Sequence, residues 1–386
     1  MLNLTLITDR LTSLGWGASQ LAEACDVSRE AVSNWLSGES LPRPRKLRQI
    51  AEALAVSPHE LLLPASRLPE PVVAYRTKRN APVSAQALET AADVARHLRE
   101  LVPFIERDNL FAPGILETPQ LSDDYIIRAA RQTRARAGLS TTEPIRHSQL
   151  ISMHQEFGSI LVPVLWGEEK SGHENALSVY LPESKSSWVI FNLNARIDDF
   201  NYWMAHELAH CYTLNALQGD KGETFAERFA QALLFPQEVA AAALDDIMGS
   251  KQRMERVAFH AKAHDISIVT VVKQIDRIAE QRTGKPTGLI DNRFWDDWNG
   301  SRSLQPTVAY ALFGIDSMTS SQYIDASERI FGTPVFRALA RWQDAQGGLS
   351  PAFVATALNI QLGDALHIAK ALSTLPKPIA TSAPVH

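Results

Sequence analysis

The stretch Trp203-Met-Ala-His-Glu-Leu-Ala-His210 decides how this chain is read. It contains His206-Glu207-Leu208-Ala209-His210, a His-Glu-x-x-His pattern. On a helix, positions i and i+4 share one face, one turn apart. Two imidazoles placed in this way can bind one metal ion, and the carboxylate beside the first can act on a water at that ion. Phe200, Trp203, Met204 and Leu208 recur at helical spacing around the pattern, which predicts a helix from about Ile197 to Leu214. The competing reading is a pair of histidines on an ordinary helix.

A catalytic zinc takes three protein ligands and leaves its fourth position to water. Candidates for the third ligand follow in Asp220-Lys-Gly-Glu-Thr-Phe-Ala-Glu-Arg-Phe-Ala-Gln-Ala-Leu-Leu-Phe-Pro236. Phe225, Ala226, Phe229, Ala230, Leu233 and Leu234 predict a buried helix, and Pro236 stops it. Glu223 and Glu227 are four apart and share a face. One carboxylate can bind zinc while the other takes the ring N–H of a ligating histidine. Alternatively both are solvated acids near a helix start, where acids are favoured.

Upstream lies a strand-rich zone: Ser159-Ile-Leu-Val-Pro-Val-Leu165, the alternating Ala176-Leu-Ser-Val-Tyr-Leu181, a turn at Pro182-Glu-Ser-Lys, and Trp188-Val-Ile-Phe191. An exposed strand edge ahead of such a helix can hold an extended peptide by strand addition, although the residues do not say which strand does so. Tyr125 to Gly138 is predicted as a helix whose Arg128, Arg131, Arg134 and Arg136 form a solvated basic face. Tyr202, Tyr212 and His260 are candidate donors to an oxyanion. His260 and His264 repeat the i, i+4 spacing beside Asp265, and the favoured reading there is structural.

Residues 1–63 predict a bundle of short helices. Ala18 to Cys25 is one, Asp26-Val27 turns, Ser28 caps the next through Leu36, and Gly38 ends it. A further amphipathic helix carries Leu47, Ile50, Ala51 and Leu54. In helix-turn-helix layout the second helix enters the DNA major groove. The segment Gln20-Leu-Ala-Glu-Ala-Cys-Asp-Val-Ser-Arg-Glu-Ala-Val-Ser-Asn-Trp-Leu-Ser-Gly-Glu-Ser40, followed by Ile50-Ala-Glu-Ala-Leu-Ala-Val-Ser57, resembles the Cro/lambda-repressor (Xre) type. That resemblance places Ser28, Arg29, Ser33 and Asn34 at base-reading positions, where Arg can bond guanine and Asn adenine. Arg43, Arg45, Lys46 and Arg48 follow and can hold phosphates. Six Lys and Arg (10, 29, 43, 45, 46, 48) face seven Asp and Glu (9, 23, 26, 30, 39, 52, 60) in residues 1–60. DNA affinity therefore has to come from a local basic patch. The alternative is a protein-binding module of the same fold.

Taken together, Met204-Ala-His-Glu-Leu-Ala-His-Cys211 and Glu223-x-x-Ala-Glu-x-Phe-Ala-x-x-Leu-Leu-x-Pro236 resemble the ImmA/IrrE family of metallopeptidases, over roughly residues 125–285. The resemblance implies a zincin-like domain with His206, His210 and Glu223 as ligands of one zinc ion. It implies Glu207 as catalytic acid/base and Glu227 in the outer shell. Ala209 stands where the family usually has Gly, and Leu214 where some members carry another His.

The remainder bounds the picture. Residues 64–82 carry Pro64, Pro69, Pro71 and Pro82 with Arg76, Lys78 and Arg79, and predict an extended linker; Ser84 to Phe104 predicts a spacer helix. Helices are predicted at Ser320–Ile330, Val335–Gln346 and Ala352–Leu372, followed by a frayed tail. Two distant cysteines make no disulfide framework and fit a reducing cytosol. No apolar run reaches membrane-span length, and a net charge of −5 excludes a basic nucleic-acid coat. The expected fold class is α+β: a helix-turn-helix bundle (1–66), a linker and spacer helix (67–124), a metallopeptidase domain with a small sheet (125–285) and a helical C-terminal region (286–386). The expected function is a cytoplasmic DNA-binding regulator, homodimeric on operator DNA, fused to a zinc endopeptidase that cuts a repressor or partner protein. The alternative is an antitoxin-type regulator that binds operator DNA and a toxin.

Overall fold

A computed structural model describes residues 2–37, 40–58, 60–62, 69–75, 85–106, 114–166, 176–213, 216–315 and 317–376. Gly38, Leu214, the basic run at Arg76, Lys78 and Arg79, and the tail from residue 377 lie outside these residues.

Among the described residues the N-terminal unit holds four α-helices: α1 (Leu4–Leu14), α2 (Ala18–Ala24), α3 (Arg29–Leu36) and α4 (Pro44–Ala53). Ser28 caps α3 as its sequence predicts, its hydroxyl accepting from the Ala31 N–H at 3.1 Å. Asp26 makes the turn with φ 50°, a left-handed conformation that Asp tolerates. Ile7, Leu11, Leu21, Cys25, Val32, Trp35, Ile50 and Leu54 form a core belonging to this unit.

The linker contains a strand where only extended chain was expected: β1 (Val72–Tyr75). Helices α5 (Ala85–Leu101), α6 (Asp123–Arg136) and α7 (His147–Phe157) follow, then β2 (Ser159–Val164), β3 (Ala176–Leu181) and β4 (Ser186–Asn192). The sheet order is β1-β3-β4-β2, with β2 parallel to β4 and the other pairs antiparallel. Every residue of β2, β3 and β4 is buried, as in a sheet covered on both faces. Pro163 falls on the edge strand β2, where a missing N–H is tolerated, and the Tyr323 hydroxyl donates to its carbonyl.

The predicted motif helix is α8 (Phe200–Thr213), entered by a 3-10 turn at Ile197–Asp199. It lies against α9 (Gly219–Leu234) and β3, and α9 lies against α6. Helices α10 (Gln237–Gly249), α11 (Arg253–His264) and α12 (Ile268–Thr283) complete this part. One expectation is corrected here. Arg134 on α6 is not on a solvated face: it is 1% exposed and donates to the carbonyls of Ser140, Leu233 and Glu143. Its guanidinium fork satisfies three carbonyls and ties α6 to α9.

The C-terminal helices are α13 (Asn292–Ser303), α14 (Val308–Phe313), α15 (Ser320–Phe331), α16 (Val335–Ala345), α17 (Pro351–Leu358) and α18 (Leu362–Leu372). The single helix expected over Ala352–Leu372 is broken by Asn359 at φ 52°, and α17 and α18 meet at 111°. Their buried side chains join the same core as the central sheet. Residues 306–309 run beside 193–197: the Ile197 N–H donates to the Pro306 carbonyl and the Val308 N–H to the Ala195 carbonyl. The approach to α8 is thus held by the C-terminal region. Among the described residues no single helix is long and apolar enough to cross a membrane.

Candidate metal centre and DNA-binding face

All fourteen residues of α8 are buried, including His206, Glu207 and His210. Such a helix must settle its polar groups internally, because unpaired buried polar atoms are costly. His206 Nε2 and His210 Nε2 lie 3.1 Å apart on one face. Glu223, from the second turn of α9, straddles them: Oε2 is 3.3 Å from His206 Nε2, and Oε1 is 3.1 Å from His210 Nε2. These three residues form the one group of three or more potential metal ligands among the described residues. Metal–nitrogen bonds of about 2.0–2.1 Å in a tetrahedral centre require ligand–ligand edges of about 3.3–3.4 Å. Edges of 3.1–3.3 Å are close to that size, so the donor set fits a divalent ion of zinc type. The Glu223 side chain is 32% exposed while the imidazoles are nearly sealed, so solvent reaches the cluster from the carboxylate side. Burial acts to raise the Glu223 pKa. The hydrogen bonds and charges of the two histidines outweigh it and hold the group well below the usual carboxylate range.

Two contacts set this geometry that sequence reasoning missed. Gly222 lets α9 begin close to the preceding turn: a Cβ there would lie 2.9 Å from the Leu217 carbonyl oxygen. Ser178, fully buried on β3, donates its hydroxyl to Glu207 Oε2 at 2.6 Å. A lone Ser in the apolar alternation of β3 was the available signal. A third contact fixes the preceding turn of α8, where buried His154 on α7 donates Nε2–H to the Met204 carbonyl at 2.8 Å. Burial lowers its pKa to about 4 against that bond, so the ring is neutral.

The other candidates separate. Glu227, one turn beyond Glu223, has Arg277 of α12 as a charge neighbour. The Tyr202 ring stands 6.2 Å from that of His206. Tyr212 packs edge-on to Phe157 and Phe229 and hydrogen-bonds with Thr133, on the side toward α6 and α7. His260 is bound to Asp246 at 2.8 Å, and His264 packs against Phe235, so this pair does not converge. Cys211 accepts from Ser159, and burial pushes its thiol up to about 12, which removes it as a nucleophile.

On the N-terminal unit, Ser28, Arg29 and Ser33 lie on the exposed side of α3, and Asn34 is half-buried. Arg43, Arg45 and Arg48 are exposed. Lys46 differs: its Nζ donates to the carbonyls of Cys25 (2.6 Å) and Asp26 (2.9 Å) and pins the turn between α2 and α3. The α11–α12 turn has the same form, with Asp265 at φ 56° and Ser267 capping through the Thr270 N–H. There the first two turns of the second helix expose only Lys273, which suits packing and leaves little surface for a groove.

Residues 7–61 match the family model of a helix-turn-helix domain, HTH_3. The match takes in most of α1 and all of α2 to α4, and it makes the N-terminal unit a helix-turn-helix of the DNA-binding regulator kind. No curated protein matches the chain.

Proposed function

We propose that this DNA-binding regulator carries a zinc-dependent endopeptidase of the ImmA/IrrE, zincin-like kind. The observation that carries the proposal is the convergence of His206, His210 and Glu223 beside a buried carboxylate, Glu207. Bound there, zinc would supply Lewis-acid activation of a water and of a scissile carbonyl. Glu207 would take the proton of the attacking water and pass it to the leaving amine. Ser178 holds Oε2 of that carboxylate and so fixes its orientation. Glu223, kept anionic by the two imidazoles, would offset part of the positive charge of a bound zinc ion. The helix-turn-helix would bring this activity to an operator, with a homodimer and cytoplasmic residence as the matching setting. The protein cut would be a repressor or partner.

Metal analysis of protein purified without chelator tests the assignment, with about one zinc per chain expected. Glu207→Gln should keep the zinc, whereas hydrolysis of a susceptible protein should fall by about 10²–10⁴-fold. A chain that binds operator DNA yet takes up no zinc would remove the peptidase and leave an operator- and toxin-binding regulator.

A further inference from the structure

Strand β3 is the part of the sheet next to the proposed chemistry, because Ser178 on it holds the Glu207 carboxylate. An extended peptide presented to that site would therefore pair with the side of β3 away from β4. That side is taken. Strand β1, from the linker that joins the helix-turn-helix to the rest of the chain, pairs with it antiparallel from Val72↔Tyr180 to Tyr75↔Leu177. Ala74 lies directly opposite Ser178. Directly opposed residues in an antiparallel pair point to the same face, so Ala74 occupies the position nearest the catalytic carboxylate.

We propose that β1 is the chain's own occupant of the substrate edge. The site would read an extended peptide running antiparallel to β3, with a small residue opposite Ser178, and that peptide enters only when β1 leaves. The proposal rests on the peptidase assignment and names its substrate class and its internal block.

The packing suits an occupant that can be displaced. β1 has four residues, against six or seven in the other strands. Val72, Val73 and Ala74 are only half-buried, whereas β2, β3 and β4 are buried throughout. Elements with little buried apolar contact open at the lowest free energy. One side chain latches the strand: Arg99 on α5 donates Nε–H to Glu183 at the β3–β4 turn (2.7 Å) and Nη2–H to the Pro69 carbonyl.

The test uses the full chain and a fluorescent peptide with the sequence of residues 69–75, in a Glu207→Gln background that prevents turnover. Arg99→Ala should bind the peptide at least about tenfold more tightly than the parent, because a larger fraction has the edge open. A second pair of variants guards against misfolding. Val73→Cys with Val179→Cys, directly opposed in the register, should close the edge when oxidised and restore binding when reduced. Hydrogen exchange of the β3 amides should fall when peptide binds. Equal peptide binding by parent, released and locked proteins overturns the proposal, as does a folded Arg99→Ala protein that binds no peptide. The binding readout needs no metal. Missing zinc together with intact, lock-sensitive peptide binding would therefore strike the peptidase assignment and leave β3 as a peptide-docking edge.

Discussion

If the proposed zinc assignment holds, Gly222→Ala should loosen the metal centre while costing the metal-free fold at most about 2 kcal/mol. An added Cβ would lie 2.9 Å from the Leu217 carbonyl oxygen, 3.4 Å from its carbon and 3.9 Å from His210 Cε1. The nearest contact is backbone, so it cannot turn away, and comfortable heavy-atom contact begins at about 3.5 Å. The start of α9 must therefore move by about 0.5 Å, whereas ligand positions tolerate about 0.2 Å. Glu223 is the next residue and moves with it. Zinc affinity should fall about 10–100-fold, the usual effect of disturbing the support of a ligand, which is about 1.4–2.7 kcal/mol. In the metal-free protein, overpacking costs about 1–3 kcal/mol and the gain of helix propensity at a Gly inside α9 offsets about 1 kcal/mol. Gly222 has no positive φ, so Ala is not strained by its backbone there. Competition with a chromophoric chelator measures the affinity, and thermal melts with and without zinc separate the two effects. Lys221→Ala, exposed in the same turn, is the control. A Gly222→Ala protein that holds zinc as tightly as the parent would refute the idea that this close approach positions Glu223.

Further outcomes can be measured on the same protein. Arg45→Ala should reduce the salt dependence of DNA binding by about one counterion. Lys46→Ala should leave that slope alone and lower the melting temperature of the N-terminal unit, because its ammonium holds the α2–α3 turn. An unchanged melt with a smaller slope would return Lys46 to the phosphate contacts. His154 is neutral in the fold with its pKa lowered to about 4, so the unfolded chain binds the extra proton between about pH 4 and 6.5. Its contribution is therefore complete above about pH 6.5 and is lost as pH falls toward 4, to at most roughly 3 kcal/mol. Denaturant melts of parent and His154→Gln across that window should differ in pH slope, and parallel slopes would sink the assignment.

Parts of this site were legible because they depend on spacing along one helix. His206, Glu207 and His210 needed only the 3.6-residue period, whereas the spacing on the next helix offered Glu223 and Glu227 alike and the family resemblance chose Glu223. The capped turn at Ser28 was legible for a similar reason, since a cap is a contact over three residues. Contacts between distant segments were not. Ser178 reaches Glu207 across 29 positions, His154 reaches Met204 across 50, and Arg134 reaches Leu233 across 99. Arg134 shows how composition misleads: four arginines on one helix resemble a solvated face, and only the packing of α6 on α9 buries one of them. Lys46 shows the converse, where a basic residue beside a recognition helix bonds within the domain.

By itself the sequence determined the helix-turn-helix, the run of strands ahead of α8, and the facing of two imidazoles on α8, because helical period, strand alternation and capping act locally. The tertiary structure decided what surrounds them. It turned Glu223 onto both histidines, set Ser178 against Glu207, and used residues 306–309 to hold the approach to α8. It also laid β1 on the edge of β3, a pairing across about one hundred residues that no local pattern encodes. The physical reason is that the site lies between a helix pair and a sheet edge, and a sheet edge is defined only once its partner strand has been chosen.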